Sequence, residues 1–222
     1  MATSGGGKST LVRSLLLDIV KHNEKMNGLV WLSEETEDDF TMELHKTGYD
    51  SEKMDDIHIV SEMNAEATVD INYLKHHIQD KKPRFILLDN LTTSAFYMDK
   101  GFEHQAKIAV DLKKIADDFK IPIIVFCHVG AAVNDNISRT IAPNDIRGSK
   151  TIVNLAPFFY IMQRFVAEDT IIPTIKIIKH RGQDIRFSIF GLAYSRERSI
   201  YFMDEQINFE KFKEAFKKRN VL

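Results

Sequence analysis

The stretch Ala2-Thr3-Ser4-Gly5-Gly6-Gly7-Lys8-Ser9 has the spacing of a phosphate-binding loop, with alanine where the first glycine usually stands. Glycines let successive backbone N–H groups curl round an anion, the lysine reaches its outer oxygens, and the Ser9 hydroxyl is placed to hold Mg²⁺. Ser4, Gly5, Gly6, Gly7, Lys8, Ser9 and Thr10 are therefore the expected nucleotide-binding residues. Asp89 ends the apolar run "RFILLD" (84–89), where a carboxylate can hold Mg²⁺ through its water shell. Glu34 and Glu35 follow the run "GLVWL", and a carboxylate there can orient and deprotonate the water that attacks a phosphoanhydride. Residue type alone does not choose between the two. His128 closes "IPIIVFCH" (121–128) and can sense a terminal phosphate by a hydrogen bond. Lys179 and Arg181, one residue apart after "TIKII", lie on one side of a strand end. Two cations so placed suit the terminal phosphate held by a neighbouring subunit.

These residues need elements to carry them. Leu11, Leu15, Leu16 and Ile19 form an apolar stripe at helical spacing, which predicts a helix over 8–22. A buried strand is expected over 28–33, an acidic helix from about residue 37, a strand over 57–60 and a helix over 68–81. The strand 84–89, a helix over 103–120 and the strand 121–128 complete the series. Buried strands alternating with helices predict an α/β fold, a mainly parallel sheet covered on both faces. Residues 129–148 are a long polar stretch, and loops of that length in compact domains are usually either functional or disordered. Beyond them "FFYIMQ", "TIKIIK", "IRFSIF" and "SIYFM" follow with short connections, the spacing of antiparallel strands. Phe209, Phe212 and Phe216 predict a C-terminal helix within 207–222, its phenylalanine face packed on the core.

At 222 residues, 44% apolar and 28% charged, the chain suits one globular domain spanning 1–222. No apolar run approaches the roughly 20 residues that span a bilayer, so no membrane partner is expected. A single cysteine, Cys127, excludes an internal disulfide and points to a reducing, cytoplasmic location. A net charge of −2 gives no overall case for a polyanion, but the charges are segregated. Residues 34–56 hold ten acidic and two basic side chains and 139–198 ten basic and five acidic, so only the later half could face a polyanion.

Taken together, the motifs resemble the RecA-like motor domain of hexameric replicative helicases, the group of the DnaB type, the phage primase–helicases and mitochondrial Twinkle. The resemblance runs from "SGGGKST" to "RSIYF". "LSEET", aligned on Ser33, makes Glu35 the catalytic glutamate, and "ILLDN" makes Asp89 the Mg²⁺ carboxylate. "VFCHVG" assigns His128 to the γ-phosphate, and "KHRG" assigns Lys179 and Arg181 to a neighbour's site. "NDIRGSK" resembles the stretch after a central DNA-binding loop, with Arg139, Arg147 and Lys150 gripping the single-strand backbone. The resemblance implies ATP and Mg²⁺ as cofactors, single-stranded DNA as partner and a homo-oligomer, a hexamer above all. It also leaves departures: Lys150 stands where a small residue is usual, Pro157 follows closely, and Asn90 replaces an aromatic. A RecA-like ATPase of recombinase or clock-regulatory type, without unwinding, is the first alternative. An inactive RecA-like assembly module is the second.

A phosphate loop normally hangs between a buried strand and its helix, and here only a few residues precede it. Leaving a central strand out of a sheet strands backbone groups at about 1–3 kcal/mol each, against a typical domain stability of about 5–15 kcal/mol. The expectation is an N-terminally truncated domain that alone binds ATP poorly and hydrolyses it slowly.

Overall fold

The computed structural model describes residues 7–23, 26–48, 51–130, 141–167, 170–182, 189–198 and 200–203. Ser4, Gly5, Gly6, Arg139 and the C-terminal helix expected within 207–222 lie outside these residues.

Helix α1 (Lys8–His22) leads to strand β1 (Gly28–Leu32), helix α2 (Glu37–His45) and strand β2 (Ile57–Ser61). Helix α3 (Ile71–Lys81), strand β3 (Ile86–Asp89), helix α4 (Phe102–Phe119) and strand β4 (Ile123–Val125) follow. The four strands form a parallel sheet in the order β2-β1-β3-β4. β1 and β3 are wholly buried, which is why they read as unbroken apolar runs rather than alternating ones. Helix α3 starts later than the expected residue 68 because Asp70 caps it, its carboxylate accepting from the backbone N–H of Asn72 and Tyr73.

The two faces of the sheet are two cores. Leu29, Trp31, Ile86 and Leu88 pack with Leu74 and Ile78 of α3 and with Ile108, Leu112 and Ile115 of α4. Val30, Leu32 and Leu87 pack with Val12, Leu16 and Val20 of α1 and with Phe40 and Leu44 of α2. Strand alternation decides this division, and it also decides which strand-end side chains face α1.

A short helix α5 (Thr151–Leu155) precedes four antiparallel strands: β5 (Phe158–Ala167), β6 (Thr170–His180), β7 (Ile189–Ser195) and β8 (Ile200–Met203). β7 covers the end of the expected run 185–190 and continues five residues further. This second sheet docks on α1: Met162, Leu192 and Tyr201 pack with Leu11, and the Tyr201 backbone N–H donates to Ser14 Oγ at 2.8 Å. The expected α/β architecture with antiparallel C-terminal strands is therefore present. Among the described residues the two sheets are separate, and β4 pairs with β3 alone. No helix among them is long and apolar enough to cross a membrane.

Candidate nucleotide site

Alternation carries three strand ends to the α1 face. Leu87 leads to Asp89 on β3, Leu32 to Glu34 after β1, and Phe126 to His128 after β4. Helix α1 meets them with its first residues, since Gly7 caps it in a left-handed conformation (φ 88°) and Lys8 is its first helical residue. Gly7 is required there twice over. A left-handed φ disfavours any Cβ, and a Cβ at Gly7 would lie 2.2 Å from the Tyr201 hydroxyl oxygen. Gly7→Ala is expected to destabilise the fold by about 1–3 kcal/mol through backbone strain alone. Chemical denaturation checks this, and Tyr201→Ala in the same chain should recover the part due to the clash.

Lys8 is buried, 6% exposed, and its ammonium donates to His128 Nδ1 at 3.1 Å. Burial lowers its pKa, while Asp89 and Glu34 pull in the other direction. Because Nδ1 accepts, the imidazole proton sits on Nε2 and is donated to Glu34 Oε1 at 3.0 Å. That hydrogen bond, the largest influence on Glu34, holds its carboxyl below the usual range and keeps it ionised at neutral pH. Lys8, His128 and Glu34 thus form a chain of alternating donors and acceptors across the head of the sheet.

Ser9 Oγ donates to Asp89 Oδ2 at 2.9 Å. Asp89 Oδ1 is fully buried and has no hydrogen-bond partner among the described residues. Burial pushes the Asp89 carboxyl pKa up. A hydroxyl and a carboxylate with an unsatisfied oxygen are the hard oxygen donors that Mg²⁺ prefers, so the pair expected from sequence fits that ion. Because the folded-state pKa of Asp89 is raised, its carboxylate costs stability progressively as pH rises through the window above its ordinary value of 3.8. In magnesium-free buffer Asp89→Asn is therefore expected to raise the melting temperature by a few degrees, and by more at pH 7 than at pH 4. Differential scanning calorimetry at the two pH values checks the sign.

Glu35 occupies a different environment. Its Oε2 accepts from Arg13 Nη1 at 3.4 Å, and Arg13 lies 5.8 Å over the Phe40 ring. Burial raises the Glu35 pKa, with Arg13 opposing. Ser61 Oγ holds the Glu35 carbonyl at 2.7 Å, and Glu37 Oε1 accepts from the Ser61 N–H. So Glu35 is braced toward α1 and α2, whereas Glu34 continues the β1 alternation toward His128 and Lys8. Sequence reasoning missed Arg13 and the sorting of the two glutamates, although the alternation signal was present in Val30, Leu32 and Glu34.

The described basic residues of the second half are not gathered into this site within the chain. Lys179 Nζ donates to the carbonyls of Asn154 (2.9 Å) and Val153 (3.3 Å), capping the last turn of α5 in its own chain. Arg181 is exposed, as are Arg147 and Lys150. The long stretch after His128 is closed at its base by a bridge between Val129 and Ile146, and the Arg147 N–H donates to the His128 carbonyl at 2.9 Å. Gly148 (φ 94°) allows close approach to Tyr97, whose hydroxyl accepts from the Ser149 N–H at 3.0 Å.

A parallel α/β sheet with a lysine-tipped first helix, a strand-end aspartate on its serine, and antiparallel C-terminal strands defines a RecA-like P-loop nucleoside-triphosphatase fold. Sequence comparison matches residues 1–132, more than half of the chain, to the AAA domain family, and the chain belongs to that family. A search of curated proteins finds no match. Among solved structures, a KaiC-like protein from the hyperthermophilic archaeon Pyrococcus horikoshii superposes with a TM-score of 0.68 at 14% identity. The alignment covers 90% of this chain and 86% of that one, and likeness at this identity establishes the fold. The RecA-like class expected from sequence stands. Neither comparison singles out the replicative helicases.

Proposed function

We propose that this protein is a Mg²⁺-dependent RecA-like ATPase that uses ATP hydrolysis as a regulatory switch. The observation that carries this reading is the Lys8–His128–Glu34 chain beside the Ser9–Asp89 pair. Lys8, a buried cation at a helix N-terminus, binds the outer phosphates. Ser9 and Asp89 hold Mg²⁺, which when bound neutralises phosphate charge. Glu34 orients and deprotonates the attacking water. Its side chain is 44% exposed, so water reaches it, while its His128 contact keeps it ionised. His128 reports the terminal phosphate: once Lys8 turns to the phosphate, Nδ1 loses its donor and the ring can reorient.

The switch reading is supported by the likeness to a KaiC-like protein and by Lys179 being engaged within its own chain. If subunits assemble into a ring, Arg181 is the exposed cation that could reach a neighbour's phosphate. A DNA-tracking motor is the second reading. It is favoured by the direct backbone link from His128 to Arg147, with Arg147 and Lys150 both exposed just after the long polar stretch.

ATP turnover with and without single-stranded DNA decides between the two. Turnover that ignores DNA supports the switch. Stimulation of tenfold or more, weakened by added salt as phosphate contacts require, transfers the case to the motor. Absence of ATP binding overturns both and leaves an inactive assembly module.

A further inference from the structure

Asn90 follows the metal-binding aspartate and is fully buried, at 0% exposure. Its amide orientation is determined by its neighbours. Oδ1 accepts from the Thr93 N–H at 3.1 Å and from the Thr92 hydroxyl at 2.7 Å. The Thr92 hydroxyl has its proton free for this bond because its oxygen accepts from the His128 N–H at 3.0 Å. Asn90 Nδ2 must therefore face the site, where it lies 3.1 Å from His128 Nε2.

That contact cannot be a hydrogen bond while Lys8 donates to Nδ1, since Nε2 then carries the ring proton and both groups are donors. Two donors this close converge on a shared acceptor. The Glu34 carboxylate is the acceptor at hand: it takes the Nε2 proton at 3.0 Å, and the Asn90 amide, 3.1 Å from the same Nε2, is among the groups that hold the Glu34 pKa down.

We propose that Asn90 is a positioning residue for the water-activating carboxylate, the partner that keeps Glu34 aimed at the phosphate site while nucleotide is bound. The inference rests on the ATPase reading above. Its logic lies in which bonds survive binding. A bound phosphate competes for Lys8 and so loosens His128 from Glu34. It does not compete for Asn90, whose amide is locked from behind by Thr92 and Thr93. The Asn90 backbone is held as well, its N–H donating to Ser33 Oγ at 3.0 Å and its carbonyl accepting from the same hydroxyl at 2.9 Å. Glu34 is thus tied to the end of β3, which bears Asp89, and does not depend on its own exposed turn for direction.

Asn90 also caps the short 3₁₀ turn Leu91–Thr93, so the test must separate capping from aiming. Asn90→Asp retains a capping oxygen and removes the donor. Asn90→Ser keeps a capping oxygen and removes the amide nitrogen without adding charge, leaving only a shorter hydroxyl, and serves if the aspartate variant does not fold. Both caps are about as good as asparagine.

The expected result is a fall in kcat of about tenfold to a hundredfold, the scale of losing one hydrogen bond to a charged group, with KM for ATP within about threefold. In the nucleotide-free protein, the Glu34 carboxyl carbon followed by NMR should titrate about half to one pH unit higher in Asn90→Ser than in wild type. An unchanged kcat together with an unmoved Glu34 midpoint reduces Asn90 to a helix cap and overturns the proposal. If the wild-type protein proves inactive on ATP, the functional reading fails by itself. The NMR shift then still decides whether Asn90 holds Glu34.

Discussion

Lys8→Ala is expected to weaken ATP binding by a factor of about thirty to several thousand, corresponding to about 2–5 kcal/mol for truncating one partner of a buried charge contact. The same substitution should leave the nucleotide-free protein at least as stable as before. Lys8 is a buried cation whose one hydrogen-bond partner among the described residues is a neutral imidazole, and burial already lowers its pKa. Removing it relieves that desolvation while releasing one hydrogen bond to His128. Isothermal titration with ATP and a melting curve without nucleotide measure the two halves. Intact binding in Lys8→Ala would show that the described head of α1 is not the phosphate site. Loss of binding together with gross unfolding would show that Lys8 is structural.

Glu34→Gln should lower kcat by about a hundredfold to ten-thousandfold, the usual contribution of a general base, and leave KM nearly unchanged. Glutamine keeps an oxygen that accepts from His128 Nε2, so the chain to Lys8 survives and only the basic function is removed. Glu35→Gln is expected to cost less than about tenfold in kcat. Its effect should fall instead on stability, because it exchanges the charge partner of Arg13, a guanidinium that is 9% exposed and has a buried Nε without a partner among the described residues. Single-turnover kinetics of both variants make the comparison. If Glu35→Gln is the variant that loses the chemical step, the alignment on Ser33 identifies the base correctly, and the strand alternation that points to Glu34 stops short of the turn.

This pair of glutamates marks the boundary between what could be read early and what could not. The helix beginning at Lys8, the apolar strands around Val30, Leu87 and Ile124, and the acidic helix from Glu37 were all legible in the sequence. Each depends on hydrophobic periodicity or a local cap, which are properties of neighbouring residues. The phosphate loop and the strand-end Asp89 were legible for a related reason. Their chemistry needs particular residue types at particular places, and few other residues can supply it.

The sequence by itself also contained the sorting of side chains between faces, because alternation in β1, β3 and β4 places Glu34, Asp89 and His128 on one side. Only the tertiary structure decided which of these groups touch. That Lys8 reaches His128 across 120 residues, or that Asn90 brings its amide nitrogen to 3.1 Å from His128 Nε2, follows from the order β2-β1-β3-β4. Strand order is set by long-range pairing that no local pattern encodes. The same applies to Lys179. A cation at the end of β6 could reach outward to a neighbour or inward to its own chain, and within this chain its ammonium takes the carbonyls ending α5, which lie within reach and lack helical partners.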